Sequence, residues 1–154
     1  MNPRTKRWLL AAEVLILAVL ALWVLYPRSL NQVMGRDFDR EEILQVQATL
    51  ANMDMDTGGI REVFLSPDDP AYEELMTLLD GQTYRFPGLA SRSREITLDH
   101  TVRLTFAQNA AHWEYSFTGA DDIQIGDRTF HARDGEAFQQ EVLDLLLAQP
   151  YTVS

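Results

Sequence analysis

The apolar positions of this chain fall into one unbroken run followed by many short alternating ones. Residues 8–26 are apolar throughout apart from Glu13, with Arg4, Lys6 and Arg7 before them and Pro27 after. At about 1.5 Å rise per residue this run spans just under 30 Å as a helix, close to the hydrocarbon thickness of a bilayer. A cleaved leader has an apolar core of only about 7–15 residues before a small-residue cleavage site. Here the best such site, Val19-Leu20-Ala21, runs straight into Leu22-Trp23-Val24-Leu25. The pattern therefore predicts an uncleaved signal anchor over 8–26 behind a cytoplasmic tail at 1–7. Trp8 at one end and Trp23 with Tyr26 at the other suit the two interfacial belts. Positive charge is denser before the helix than after it, where Arg28, Arg36 and Arg40 are spread out. That asymmetry predicts a single-pass cell-membrane protein with a cytoplasmic N-terminus and an extracytoplasmic C-terminal domain. Glu13 lies near the Trp8 end, where its carboxylate reaches headgroup level or is protonated; a polar contact with another membrane helix is the alternative.

Residues 27–41 read as a short polar stalk, and 42–150 as one domain. Leu44, Val46, Ala48 and Leu50 alternate with polar residues, the pattern of a half-buried strand. A helix is the rival reading, because Ile43, Val46 and Leu50 also share a helical face. Residues 52–59 read as a turn around Gly58-Gly59, and 60–65 as a second strand. Ser66-Pro67-Asp68-Asp69 has a capping hydroxyl, a proline and acids at the positive end of a helix dipole. It predicts a helix over 68–80 with Tyr72, Leu75, Met76 and Leu79 on one face, closed by Gly81. Residues 84–93 look like a loop around Pro87-Gly88. Alternation then returns at Ile96 and Leu98, at Val102, Leu104 and Phe106, and, past a turn at Asn109-Ala110, at Trp113, Tyr115 and Phe117. Ile123 and Ile125 precede a Gly126-Asp127 hairpin turn, with Phe130 on the return strand. Asp134 caps a last helix whose apolar face is Phe138, Val142, Leu145 and Leu146, ended by Pro150. Runs of strands with helices between and after them predict an α+β fold. The expected form is one antiparallel sheet of about five to six strands, covered on one face by two amphipathic helices.

Charge narrows the partners. Residues 28–154 carry ten Arg, no Lys and 22 Asp plus Glu, a net charge of −12. A field of that sign repels phosphate backbones and anionic lipid headgroups, so no nucleic-acid partner is expected. The absence of cysteine removes disulfides, thiol catalysis and Cys-ligated zinc together. The domain must hold its fold by its core alone, and its length suits one core rather than two domains.

The acid-capped helix at 68–80, the strand pair around Ile96 and Leu104, and the ending Ile123-x-Ile125-Gly126-Asp127-x-x-Phe130 before Phe138-x-x-x-Val142-Leu143 form a layout of about 110 residues. It resembles a group of small membrane-anchored or lipoprotein extracytoplasmic domains of unknown function from Gram-positive bacteria. The resemblance implies export and anchoring; it carries over no functional residue.

Candidate chemistry is sparse. Asp54-Met55-Asp56-Thr57-Gly58-Gly59 begins like a calcium loop, but position twelve, which should be Glu, is Leu65, so a polar turn is the better reading. His100, His112 and His131 lack metal-ligand spacing; His112 and Glu114 share a strand face but make only a pair, where a site needs three or four ligands. Arg85, Arg92 and Arg94, with Ser91 and Ser93, form the basic cluster of the soluble part. They are the weak candidates for an anionic ligand such as a wall phosphate or a partner's carboxylate, against a solvated loop. Trp113, Tyr115 and Phe117 read as core rather than as a ligand platform. No serine-hydrolase, paired-carboxylate or phosphate-loop motif occurs. No catalytic residue, metal or cofactor is therefore assigned. The expected role is a non-enzymatic, anchored binding or scaffolding domain whose partner is an envelope protein or cell-wall component. A sensory or regulatory partner of another membrane protein, or a small envelope hydrolase, are the alternatives.

Overall fold

The computed structural model describes residues 3–52, 59–87, 100–109 and 111–153. The first element, α1 (Pro3–Leu25), contains a stretch, Trp8–Leu25, long and apolar enough to cross a membrane, and none of that stretch is buried. The helix begins within the segment read as a tail, at Pro3, and ends before Pro27, which has no N–H to continue it.

The segment read as a stalk is part of the domain. Ser29 starts a short helix, α2 (Leu30–Met34), where the Ser29 N–H donates to Gln32 Oε1 at 3.0 Å. Leu30, Val33, Met34 and Phe38 enter the hydrophobic core. Arg40, in a 3-10 turn (Arg40–Glu42), reaches Glu73 Oε2 at 2.7 Å and Asp80 Oδ2 at 2.8 Å. Four apolar residues spaced by polar ones over so short a stretch show neither strand nor long-helix periodicity, which is why they read as polar chain.

Strand β1 (Ile43–Asn52) settles the strand reading for 42–50. A bulge between Ile43 and Gln45 shifts the phase of the alternation. Ile43, Val46, Ala48 and Leu50 are buried, while Leu44 is 59% exposed. Strand β2 (Ile60–Leu65) pairs with it antiparallel. Helix α3 (Pro70–Gly81) starts two residues later than expected. Asp69 holds the N-cap position and Pro70 supplies the fixed φ of the first turn, whereas Ser66 and Asp69 close a preceding turn: Asp69 N–H donates to Ser66 O at 2.9 Å, and Ser66 N–H to Asp69 Oδ2 at 2.6 Å. Tyr72, Leu75, Met76 and Leu79 are buried as expected.

Residues 84–85 are not loop but a two-residue strand, β3 (Tyr84–Arg85), with Tyr84 fully buried. Strands β4 (His100–Gln108), β5 (Ala111–Phe117), β6 (Asp122–Ile125) and β7 (Arg128–Ala132) follow. Gly126 turns the β6–β7 hairpin at φ 55°, where glycine carries no steric penalty. Val102, Leu104, Phe106, Tyr115, Phe117, Ile123, Ile125 and Phe130 all face the core. Ile96 and Leu98 lie outside the described residues. Helix α4 (Gly135–Leu147) buries Phe138, Val142, Leu143 and Leu146, with Leu145 only at the margin of that face. The chain ends in β8 (Thr152–Val153) against β2.

The fold is α+β, as expected, with one antiparallel sheet of eight strands in the order β3-β7-β6-β5-β4-β1-β2-β8. The two strands beyond the expected five or six are the edges β3 and β8, too short to show alternation. α3 carries the chain from β2 near one edge to β3 at the other, and α4 carries it back from β7 to β8. Two such crossings put both helices across the same sheet face and leave the other face open. At the centre of that face the cross-strand partners are polar, with Gln47 and Thr49 of β1 opposite Thr105 and Arg103 of β4, which meet Glu114 and Ser116 of β5; towards β2 the half-exposed Phe64 and Ile60 stand opposite Gln47 and Ala51.

Candidate functional site

The β3–β7 edge gathers the features that bear on function. Register places Arg85 of β3 opposite His131 of β7, and His131 opposite Asp122 of β6. Partners in register share a sheet face, so Arg85, His131 and Asp122 form one row across three strands. Asp122 is buried, and its Oδ1 lies 2.9 Å from His131 Nδ1. At that distance the buried carboxylate oxygen makes a close contact with the imidazole but no hydrogen bond. Arg133 follows β7, its N–H bonded to Thr83 O at 3.2 Å, and its side chain is 80% exposed. Thr83, Arg85, His131 and Arg133 line a cleft of about 280 Å³.

The same edge receives the apolar helix. Arg28 and Tyr84 form an antiparallel bridge, with N–H to O distances of 2.8 and 3.0 Å. The Arg28 guanidinium lies 4.1 Å from the ring centre of Phe86 and 5.2 Å from that of Trp23, and its Nη2 donates to Trp23 O at 3.2 Å. Phe86 in turn lies 5.2 Å from Trp23 and stacks at 5.2 Å on the buried Phe130. Aromatic and cation–π contacts thus run without a gap from the last turn of α1 into the core. Beneath them the Tyr84 hydroxyl donates to Leu79 O at 2.9 Å and stands 3.2 Å from the Tyr115 hydroxyl. Burial pushes both phenols above their usual range.

Of the basic candidates, Arg85 stands in this cleft, while Arg92 and Arg94 lie outside the described residues. So does most of the turn with the calcium-like start, and so does the His100 side chain. His112 and Glu114 do line one cavity, of about 510 Å³, together with Asp127 and Arg128. Among the described residues no group of three or more His, Asp or Glu side chains could hold a metal ion. Trp113, Tyr115 and Phe117 pack in or against the core. Sequence reasoning groups Arg85 with its neighbours along the chain and weighs His131 only as a metal ligand; Arg133 and Asp122 go unnoticed, and all three reach Arg85 only through strand pairing. Comparison with family models, with curated proteins and with solved structures returned no match in any of the three.

Proposed function

We propose that this is a single-pass membrane protein whose domain binds or scaffolds another envelope component, a protein or part of the cell wall, outside the cytoplasm and without catalysis. The observation that supports this most is the direct seating of α1 on the sheet edge through Arg28, Trp23 and Phe86. A domain on a flexible stalk samples a wide volume; one bridged to its anchor presents its open face at a fixed height above the bilayer. The centre of that open face is rich in Gln, Thr, Ser, Arg and Glu, which suits a hydrogen-bonding partner, with Phe64 and Ile60 exposed at its β2 side. The resemblance to small anchored domains of Gram-positive bacteria agrees with this reading. The continuous contact from α1 to Phe130 also favours a second reading, a regulatory partner in which tilt or rotation of a neighbouring membrane helix is passed into the sheet. A hydrolase draws less support: His131 brings an imidazole, but Thr83 brings the one hydroxyl among the cleft-lining residues.

Two measurements test the proposal. A reporter active only outside the cytoplasm, fused after Ser154, should be active; accessibility of the C-terminus from the cytoplasmic side alone would refute the location. A photo-crosslinker at Thr105 on the open face should trap a discrete partner in intact cells, while one at the exposed helix position Glu141 should not. Equal labelling from both positions, or none from Thr105, would refute the binding role of that face.

A further inference from the structure

The domain is strongly acidic, yet its membrane-facing edge is not. Arg28, Arg85 and Arg133 gather there, with His131 between the last two. The carboxylates beside them are those of Asp121, Asp122 and Asp134. Asp122 is buried and turned to His131. Asp134 approaches Arg133 only to 3.7 Å with both side chains about four-fifths exposed, a contact that solvent weakens. No ion pair engages Arg85 or Arg28 among the described residues, and Arg28 Nη1 is buried without a hydrogen-bond partner. Arg85 is one residue, about 3.8 Å of chain, from Phe86, whose ring touches Trp23 at the interfacial end of α1. Arg85 also adjoins Tyr84, which is bridged to Arg28 three residues past the end of α1, so the cleft lies beside the end of the apolar helix.

We propose that the cleft between β3 and the end of β7 recognises a phosphate group, and that its occupant is the headgroup of an anionic phospholipid in the bilayer that α1 crosses. This deepens the function proposed above and rests on α1 being a membrane anchor. Arg85 on β3 and Arg133 just past the end of β7 present planar donor forks that match phosphate oxygens, with the His131 imidazole beside them. The cleft volume of about 280 Å³ admits a headgroup and little more. The overall negative charge of the domain disfavours contact with an anionic surface elsewhere, so any such contact falls to a local cluster of cations such as this one. Each such cation near an anionic surface contributes on the order of fivefold in association.

The test uses the full chain in vesicles of phosphatidylcholine alone, in vesicles of phosphatidylcholine mixed with phosphatidylglycerol, and in the first vesicles with inorganic phosphate added. Hydrogen exchange is followed at the amides that pin the edge, Arg28, Tyr84 and Arg133. In phosphatidylglycerol these amides should exchange several-fold more slowly than in phosphatidylcholine, and the double variant Arg85→Gln with Arg133→Gln should lose the difference while melting at the same temperature. Strands β1 and β4 serve as internal controls and should not respond. Equal exchange in the two lipids, or protection that survives in the double variant, overturns the proposal. Protection by inorganic phosphate that matches phosphatidylglycerol keeps the phosphate site but overturns the lipid as its occupant. A chain that fails to float with any vesicle overturns the anchored reading itself; one that floats but ignores phosphatidylglycerol overturns only the headgroup site.

Discussion

Gln139 offers a prediction whose sign is unusual for a core substitution. It lies on the inner face of α4, fully buried, and neither its Oε1 nor its Nε2 has a hydrogen-bond partner. Leaving a buried amide unpaired costs about 1–3 kcal/mol by mutational measures. Gln139→Met replaces that amide with an unbranched thioether of nearly the same volume, so the packing change is small, and Met and Gln have similar helix propensity. No term of comparable size opposes the removal of the penalty. The variant should be more stable by about 1–3 kcal/mol. For a domain of this length each kcal/mol moves the midpoint by roughly 4 °C, so Tm should rise by about 4–12 °C. Thermal unfolding of the full chain in detergent micelles, followed by near-UV circular dichroism, reads this through the aromatic core around Tyr115, Phe117 and Phe138. Gln139→Glu supplies the opposite control: a buried carboxylate should lower Tm at neutral pH. An unchanged or lowered Tm for Gln139→Met would refute the reasoning and mean that an internal water or a bound group satisfies the amide.

Other outcomes follow from close approach and from titration. Gly135, in the first turn of α4, has no room for a side chain: a Cβ there would meet Asp121 Cα at 2.6 Å and Ala120 O at 2.7 Å, both backbone. Gly135→Ala should therefore destabilise by about 1–3 kcal/mol, outweighing the gain of about 0.5–1 kcal/mol that alanine brings to a helix; a higher denaturant midpoint would count against it. Tyr84 and Tyr115 ionise above their ordinary value of 10.0 because they are buried, so the unfolded chain loses its phenolic protons first. Their contribution to stability is complete below about pH 10 and is lost as pH climbs towards the folded values. Alkaline unfolding should begin above pH 10, and Tyr84→Phe combined with Tyr115→Phe should move it to higher pH; an onset that ignores both hydroxyls would refute this.

How much of this was legible beforehand differs from element to element, for reasons that are physical. Long strands with one face in the core state themselves by alternation, and Val102, Leu104 and Phe106 or Tyr115 and Phe117 could be read off directly. Leu44 could not, because a bulge is a change of phase rather than a residue type, and period 2 gives no warning of it. Tyr84 was missed because two residues cannot alternate, and Leu30, Val33, Met34 and Phe38 because irregular chain buries side chains at no fixed interval. At 66–70 the helix starts at Pro70 rather than at the Ser66-Pro67 signal, because Ser66 and Asp69 are taken up by a turn of their own. The candidate site shows the same limit in sharper form. Arg85 was visible as a cation, but the cleft depends on His131, Asp122 and Arg133, roughly forty residues away. Strand order decides that meeting, and strand order follows from α3 and α4 crossing the sheet in opposite directions. The first of those crossings sets β3 at the edge of the sheet, where the residues following the apolar helix reach it. The chemistry of that edge therefore comes from the same crossings that cover the other face with helices. A lipid-facing site here would be a consequence of topology as much as of composition, in a domain whose net charge alone argues against it.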